Sequence, residues 1–404
     1  MSDVRQRKSA PDAGAPEDKG GEAKDYETRL KEAGKKESKI GKVIKRSIVA
    51  SVLLSIFTFM IWWGHLPMCV AVFIAQVMLF RELANVRYKG EKAKEVPLFR
   101  TVQWTWFVVA MFWTYGQSLT EFFRPMGAEV RYLTWTSFGL YWITFIITTL
   151  SLKKGYYKYQ IGQLTWTAVC LGLIVGQLKS VVNNILNGMF WFVFPMTLVI
   201  FNDTSAYFCG LALGRKIFKF PFLPLSPNKT WEGFFGACVF TMLFAFFFPV
   251  FLVKFPALIC PASTDATDFL KCEYHPIFLP ATYDVPQRLV GLVGMQQVTL
   301  LPIQLHGVVF GIFASLVAPF GGFFASAIKR AYEIKDFDTL IPGHGGLMDR
   351  FDCQFLMQLC SSVHYATFVE VAVLTVPFVI KQLDQLSTDE QNQVLRYLKE
   401  RLNA

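Results

Sequence analysis

The chain has 404 residues, of which 53% are hydrophobic and only 17% are charged, against roughly 25% charged residues in a typical soluble domain. Its net charge of +10 does not indicate nucleic-acid binding, because the basic residues lie in short segments between apolar runs and not in one basic domain. The eight cysteines form no Cys-x-x-Cys or Cys/His cluster, so the sequence also offers no zinc site.

The first 46 residues form a polar segment that holds 13 Lys and Arg and 9 Asp and Glu. This composition predicts a disordered basic cytosolic tail over residues 1–46. We expect no cleavable signal peptide, because the first apolar run begins too late in the chain.

Nine apolar runs follow the tail, and runs near 20 residues are typical of membrane-spanning helices. The predicted spans are 47–63, 67–80, 101–120, 132–152, 160–176, 186–201, 233–255, 305–328 and 353–380. Residues 202–214 are a candidate for a further, partly buried helix. We therefore predict an all-α, polytopic integral membrane protein with about nine transmembrane helices, whose membrane-embedded catalytic domain covers residues 47–380.

Basic residues are unevenly distributed over the loops between these spans. Loops on the side of the N-terminal tail hold 17 Lys and Arg beyond the tail itself, whereas the opposite loops hold 6. The positive-inside rule therefore places the tail and the basic loops in the cytosol. An odd number of spans then places the C-terminus in the lumen. Cys260 and Cys272 flank a loop on the luminal side and could pair there, but we expect them to be free thiols.

Residues 381–404 are predicted to form an amphipathic C-terminal helix. Ser387 and Glu390 have capping-box spacing, and the apolar residues that follow recur at helical intervals. We expect this helix to dock on the protein or the bilayer surface. The sequence shows no internal repeat, which argues against an inverted-repeat transporter.

The most informative stretch is 326–352, which joins two apolar spans on the cytosolic side. It holds four basic residues, four Asp, one Glu, one His and three Gly. Charged groups at a membrane boundary are costly to bury, so such a dense set of both signs requires partners. One interpretation is an internal salt-bridge network that caps two helices, and the other is a site for a metal and phosphates.

Three features favour the second interpretation. The run Pro342-Gly-His-Gly-Gly removes side chains, so backbone N–H groups can approach an anion. Asp349 and Asp352 are three residues apart and share a helical face, which suits a hard cation. The basic residues that can pair with phosphate oxygens are Lys329, Arg330, Lys335 and Arg350.

Two further stretches carry polar groups beside apolar runs. Residues 226–233 read Ser-Pro-Asn-Lys-Thr-Trp-Glu-Gly and open a predicted helix, which makes them a candidate anion site. The alternative is that Ser226 and Pro227 only cap and start that helix. Asp203 directly follows an apolar run, so a functional role is the default hypothesis, with a pairing to a nearby Lys as the alternative.

The three stretches together resemble the phosphatidate cytidylyltransferases, also called CDP-diacylglycerol synthases. The resemblance covers approximately residues 45–380, and the long tail, the loop at 254–304 and the Gly-Gly-Phe-Phe form suggest the eukaryotic branch. It implies transfer of CMP from CTP to phosphatidic acid with release of pyrophosphate and with Mg²⁺ as cofactor. It also implies an endoplasmic reticulum membrane protein whose active site faces the cytosol. The sequence leaves open whether the protein forms a homo-oligomer.

Family spacing assigns candidate roles to individual residues. The catalytic candidates are Lys329, Arg330, Lys335, Asp336, His344 and Arg350. The substrate-binding candidates are Ser226, Asn228, Lys229, Thr230, Ser326, Gly343, Gly345 and Gly346. The metal-binding candidates are Asp349, Asp352 and Asp203.

One position departs from the family pattern. Bacterial members carry a metal-associated Asp four residues before the signature Ser, and here that position is Gly322. Asp203, Asp336 or Asp352 is then expected to supply the missing carboxylate. Three rival functions stay open from the sequence, namely a CTP-dependent polyprenol kinase, a membrane transporter and an inactive lipid-binding relative.

Overall fold

The structure is a computed structural model that describes most of the chain after the N-terminal tail. The described residues are 39–87, 96, 98–123, 132–220, 222–223, 226, 229–262, 272–285, 287, 290, 294–340, 345–370, 379–380, 383 and 386–402. The chain divides into two compact units, Met1–Leu54 and Ser55–Ala404. The described part of the first unit, residues 39–54, is helical and belongs to the first helix, and all elements from His65 onward belong to the second unit.

Helices dominate the described chain. They are α1 (Lys39–Trp63), α2 (His65–Val86), α3 (Phe99–Phe123), α4 (Leu133–Leu150), α5 (Tyr157–Leu171), α6 (Gln177–Leu186), α7 (Phe190–Leu213), α8 (Trp231–Leu252), α9 (Pro256–Ile259), α10 (Pro302–Leu316), α11 (Pro319–Ala331), α12 (Met348–His364) and α13 (Thr388–Leu402). A π-helical turn, Gly172–Gly176, joins α5 to α6, and a second one, Tyr365–Val369, extends α12. Strands β1 (Ala281–Asp284) and β2 (Gln297–Leu300) form an antiparallel hairpin with Ala281 opposite Leu300.

Six described helical segments are long and apolar enough to cross a membrane. They are His65–Val86, Leu133–Leu150, Tyr157–Leu186, Phe190–Leu213, Trp231–Leu252 and Pro302–Ala331. This confirms the prediction of an all-α, polytopic membrane protein. Helices α3 and α12 are not among the six, and the apolar part of α1, Ser47–Trp63, is shorter. The count of nine spans therefore stays a prediction.

Several predicted boundaries differ from the structure. Helix α1 begins at Lys39, within the segment predicted to be a disordered tail. The predicted loop at 177–185 is helical, because buried side chains of α6 such as Val181 and Asn184 pack against neighbouring helices. Residues 202–213 are the second half of α7 and not a separate helix. The predicted span 305–328 consists of two helices, since Pro319 starts α11.

Small residues allow α8 and α10 to pack closely. Gly307 and Gly311 are one turn apart on α10 and face Ala245 of α8. A Cβ atom at Gly307 would collide with the Ala245 carbonyl oxygen, and one at Gly311 would lie 2.8 Å from the Ala245 Cβ. Small residues four apart are a common way for membrane helices to approach each other.

Buried polar side chains attach α12 to α6 and α7. The Asn184 amide donates to the Gln358 carbonyl oxygen at 2.9 Å, and the Gln358 amide donates to the Phe192 carbonyl oxygen at 2.9 Å. The Ser361 hydroxyl donates to the Trp191 carbonyl oxygen at 2.7 Å. Such hydrogen bonds hold helices together where no water competes for the polar groups.

Cys260 and Cys272 form a disulfide, so the expectation of free thiols is wrong. Helix α9 ends at Ile259, and the chain returns so that the two Cα atoms lie 5.8 Å apart. This separation is normal for a bonded pair. The sequence spacing alone could not show that the intervening segment brings the two residues together.

Helix α13 carries the capping box seen in the sequence. The Ser387 backbone N–H donates to the Glu390 carboxylate at 2.9 Å, and the Ser387 hydroxyl donates to the same carboxylate at 2.8 Å. These hydrogen bonds, the one from the hydroxyl first, lower the pKa of Glu390. The apolar residues of α13 stay exposed, among them Leu398 and Leu402.

Candidate active site

Asp349 is the centre of the signature stretch. Its Oδ1 atom accepts a hydrogen bond from the Lys329 Nζ atom at 2.6 Å, which links the first turn of α12 to the last turn of α11. Its Oδ2 atom accepts the backbone N–H groups of Phe337 at 3.0 Å and Gly346 at 3.1 Å. An internal ion pair, as in the salt-bridge interpretation of this stretch, is therefore present. It holds the Lys329 ammonium and the Asp349 carboxylate next to each other.

A second carboxylate, which the sequence analysis missed, lies against the same turn. Glu82 near the end of α2 accepts the N–H groups of Leu347 and Met348, each at 2.8 Å, although 265 residues separate Glu82 from Leu347. Glu82 is only 1% exposed. The predicted second span ended at residue 80, so this acid was counted with the following loop. An acidic residue in the last turn of an apolar helix was the available signal.

Two glycines of the signature loop make room for these carboxylates. Gly345 has a φ of +84°, and a Cβ atom there would lie 3.3 Å from carboxylate atoms of both Asp336 and Asp349. A Cβ atom at Gly346 would lie 2.8 Å from the Glu82 Oε2 atom. The N–H of Gly346 is donated to Asp349, so the substrate-binding role of these glycines stays a prediction. Gly343 and His344 lie outside the described residues.

The three polar stretches meet around Asp203 on α7. The charges of Lys229 and Arg350 both act on the Asp203 carboxylate, and Asp203 in turn interacts electrostatically with Asp352. The Lys229 Nζ atom also lies 5.9 Å from the centre of the Phe323 ring on α11. Residues about 100 positions apart in sequence therefore lie near one another, and a shared substrate site stays a prediction.

A cavity of about 570 Å³ lies beside Asp203, between α7, α8 and α11. Its polar lining comes from Asn202, Asp203, Ser226, Lys229 and Thr230. Its remaining lining is largely apolar, including the side chain of Phe323 and the highly exposed side chain of Leu211. A cavity lined by charged, hydroxyl-bearing and apolar side chains suits an amphiphilic molecule with an anionic head.

The position of Gly322 is filled from the neighbouring helix. A Cβ atom there would lie 3.1 Å from the Cys353 Sγ atom and 3.4 Å from the Asp352 Oδ2 atom, so the Asp352 carboxylate lies beside the position of a side chain at 322. Gly321 permits this approach, since a Cβ atom there would collide with the Asp352 backbone. Of the three carboxylates considered as replacements, Asp352 is the one that lies beside Gly322.

These carboxylates fit a metal ion only if substrate phosphates and water supply the rest of its ligands. Within the described residues, no group of three or more His, Cys, Asp or Glu side chains is positioned to hold a metal. Asp203 and Asp352 do interact with each other. Mg²⁺ is usually held by one or two carboxylates together with substrate phosphates and water, so such a pair is compatible with it.

Helix α8 has a different N-cap residue from the one considered in the sequence analysis. Thr230 is the N-cap of α8, because its hydroxyl accepts the Gly233 N–H at 3.2 Å, so the alternative in which Ser226 and Pro227 cap the helix is wrong. Glu232, also missed, accepts the N–H groups of Ile217 and Phe218. It thereby ties the preceding basic loop to α8.

The remaining candidates lie at the periphery. Arg330 and Lys335 are exposed at the end of α11 and in the following loop, and Ser326 is half-buried on α11. Asn228 lies outside the described residues. The predicted roles of these four residues stay predictions.

Comparison with known proteins identifies the family. Residues 44–368 match the model of the cytidylyltransferase family. A probable phosphatidate cytidylyltransferase of Dictyostelium discoideum is 38% identical over 92% of this chain and 80% of its own length. Phosphatidate cytidylyltransferase 1 of Arabidopsis thaliana is 37% identical over 84% and 82% of the two chains. Phosphatidate cytidylyltransferase 1 of Homo sapiens is 36% identical over 88% and 78%. The chain therefore belongs to the cytidylyltransferase family.

Proposed function

We propose that this protein transfers the CMP group of CTP to phosphatidic acid and releases pyrophosphate, giving CDP-diacylglycerol. The observation that carries the proposal is that Lys229 and Arg350 act on Asp203 beside a cavity lined by both polar and apolar side chains. The names of the relatives give the same reaction class.

The reaction requires positioning more than proton transfer. A phosphate oxygen of phosphatidate attacks the α-phosphorus of CTP, a new P–O–P bond forms, and the bond to the β-phosphate breaks as pyrophosphate leaves. Phosphatidate is already ionised near neutral pH, so no strong general base is needed. The protein must hold two anions in line and neutralise the charge that develops on the leaving group.

Basic side chains of the site are suited to that neutralisation. Lys329 is held at 2.6 Å from Asp349 and lies over the Phe337 ring at 5.5 Å from its centre, so its ammonium group has a fixed place. Lys229 and Arg350 are exposed and approach Asp203 from the two other stretches. We infer that these three cations contact the phosphates of CTP and phosphatidate.

Mg²⁺ is the cofactor that we propose, with Asp203 and Asp352 as the pair of carboxylates that would hold it together with substrate phosphates. A metal role for Asp349 stays a prediction. When bound, the ion would supply positive charge at the phosphates of the nucleotide. The proximity of Asp203 to Asp352 supports this assignment. Both oxygens of Asp349 already accept hydrogen bonds, so we infer that Asp349 has fewer free lone pairs for a metal than Asp352.

We further propose that the site faces the cytosol of an endoplasmic reticulum membrane. Two independent features support this orientation. The loops on the side of the site hold 17 of the basic residues counted above. The disulfide Cys260–Cys272 belongs to the opposite side, and disulfides persist in oxidising compartments such as the lumen. CTP would then enter from the cytosol and phosphatidate sideways from the bilayer.

Position-specific labelling of CTP tests the proposed reaction. The purified protein is incubated with phosphatidic acid and CTP labelled at either the α- or the γ-phosphate, and the lipid product is extracted. Cytidylyl transfer puts the α-label into lipid and the γ-label into pyrophosphate. A polyprenol kinase would place the γ-label in an added polyprenol, whereas a transporter or an inactive lipid-binding relative would label no lipid. Absence of α-labelled lipid from a folded sample would refute the proposal.

A further inference from the structure

The N-terminus of α12 is occupied by the protein itself. Helix N-termini attract anions, because their first N–H groups have no partner within the helix. Here the three consecutive N–H groups of Gly346, Leu347 and Met348 are all donated to carboxylates of the same chain. Asp349 takes the first, and Glu82 of α2 takes the other two. These three N–H groups are therefore already used and are not free to bind a substrate phosphate.

The arrangement holds two like charges close together. Glu82 and Asp349 repel each other electrostatically, and Asp338 adds a third negative charge nearby. Such a group is retained only if each carboxylate receives strong hydrogen bonds. Glu82 receives two at 2.8 Å and is almost fully buried, so its position is determined closely. Arg81, the residue before Glu82, pairs with Asp338 at 3.9 Å and so ties α2 to the same loop.

Glu82 thereby connects a membrane helix to the residue at the centre of the site. The two N–H groups that it accepts immediately precede Asp349 in the chain, so any shift of Glu82 moves the turn that carries Asp349. Gly346 also depends on Glu82, because the Oε2 atom occupies the space where a side chain at 346 would lie.

We propose that Glu82 is a positioning residue of the transfer reaction, which holds the first turn of α12 so that Asp349 and Lys329 stay in register with the substrates. The proposal rests on the proposed cytidylyl transfer. Glu82 itself contacts neither substrate. Its loss should therefore lower kcat strongly and leave the KM for CTP within about threefold.

The first test compares Glu82→Gln and Glu82→Ala with a matched control on the same helix. Gln76→Ala is suitable, because Gln76 is fully buried and its amide donates to the Tyr115 hydroxyl at 2.8 Å, far along α2 from the signature loop. We expect kcat to fall by at least roughly 30-fold in Glu82→Ala and less in Glu82→Gln, which keeps one acceptor oxygen. Gln76→Ala should retain most of its kcat at a similar loss of thermal stability. Equal losses in the control and the Glu82 variants, or a normal kcat in Glu82→Ala, would overturn the proposal.

The second test does not depend on catalysis. Thermal unfolding is measured for Glu82→Ala, for Gly346→Ala and for the double variant. A Cβ atom at position 346 would lie 2.8 Å from both the Glu82 Oε2 atom and the Asp338 backbone N. Removing the Glu82 carboxylate first should relieve one of these two clashes, so the loss of stability in the double variant should be smaller than the sum of the two single losses. Fully additive effects, together with an unchanged unfolding midpoint in Glu82→Ala, would show that Glu82 does not hold this turn. If the wild-type protein forms no α-labelled lipid, the proposed function fails, whereas the unfolding cycle still decides whether Glu82 fixes α12.

Discussion

Replacing Asp349 by Asn should remove turnover and also weaken the fold. The side chains of Asp349 and Lys329 are 7% and 18% exposed, and the carboxylate accepts three hydrogen bonds. The amide of Asn has the same size but only one acceptor oxygen. It must therefore turn its NH₂ group either towards the Lys329 ammonium or towards the two backbone N–H groups. Removing one partner of a buried ion pair costs about 3–5 kcal/mol, and the residual exposure of Lys329 favours the lower end, about 3 kcal/mol. With Lys329 no longer held, kcat should fall at least about 100-fold, which corresponds to about 2.7 kcal/mol.

The assay is incorporation of α-labelled CTP into lipid by purified protein, together with a thermal unfolding curve. Asp338→Asn is the matched control, because Asp338 belongs to the same loop but pairs with Arg81 at 3.9 Å. The side chains of Arg81 and Asp338 are 57% and 29% exposed. Such an exposed pair contributes about 0–1 kcal/mol, so we expect turnover close to wild type. Near-wild-type turnover in folded Asp349→Asn would refute the reasoning. An equal loss in both variants would show that the loop tolerates no loss of charge at any position.

Three further predictions concern Lys229, Gly321 and the Cys260–Cys272 disulfide. Lys229→Ala should lower kcat/KM for CTP roughly tenfold without a change in the unfolding midpoint, because Lys229 is exposed; an unchanged kcat/KM would show that Lys229 only marks the cytosolic side. Gly321→Ala should reduce both stability and turnover, since its Cβ would collide with the Asp352 backbone, whereas Gly139→Ala, where nothing lies within 4 Å, should be neutral or stabilising by up to about 1 kcal/mol. Cys260→Ser should lower the free energy of unfolding by about 3 kcal/mol and abolish the sensitivity of the unfolding midpoint to reductant; a reductant effect that persists in the variant would contradict a role for this disulfide.

The polar stretches were predictable because their chemistry is local. Dense charges of both signs next to glycines and an apolar span have few structural explanations, and the predicted loop topology puts the stretches on one side of the membrane. The proximity of Lys229 and Arg350 to Asp203 agrees with that topology, although the two basic residues lie about 100 positions apart in sequence. The apolar runs likewise predicted the class of the protein from length alone.

Contacts over long sequence distances were not predictable. Glu82 is a single acid whose hydrogen-bond partners lie 265 and 266 residues away, so no local pattern marks its role. The side chain that lies beside Gly322 depends on how closely α11 approaches α12. Gly321 allows this close approach, but a glycine in the sequence does not by itself predict it. The continuous helix from Tyr157 to Leu186 was interrupted in the prediction, because polar residues such as Asn184 indicate a loop until their tertiary partners are known.

The central claim is that two stretches about 100 residues apart form one cytosolic site, and cysteine accessibility tests it most directly. Single cysteines are introduced at Asn228 and at Asp338 after replacement of the free thiols at Cys69, Cys170, Cys209, Cys238, Cys353 and Cys360, with the Cys260–Cys272 disulfide kept. Sealed microsomes of known orientation are then treated with a membrane-impermeant maleimide. Both new cysteines should be labelled from the cytosolic face without detergent. Labelling of the two positions from opposite faces would contradict the shared site.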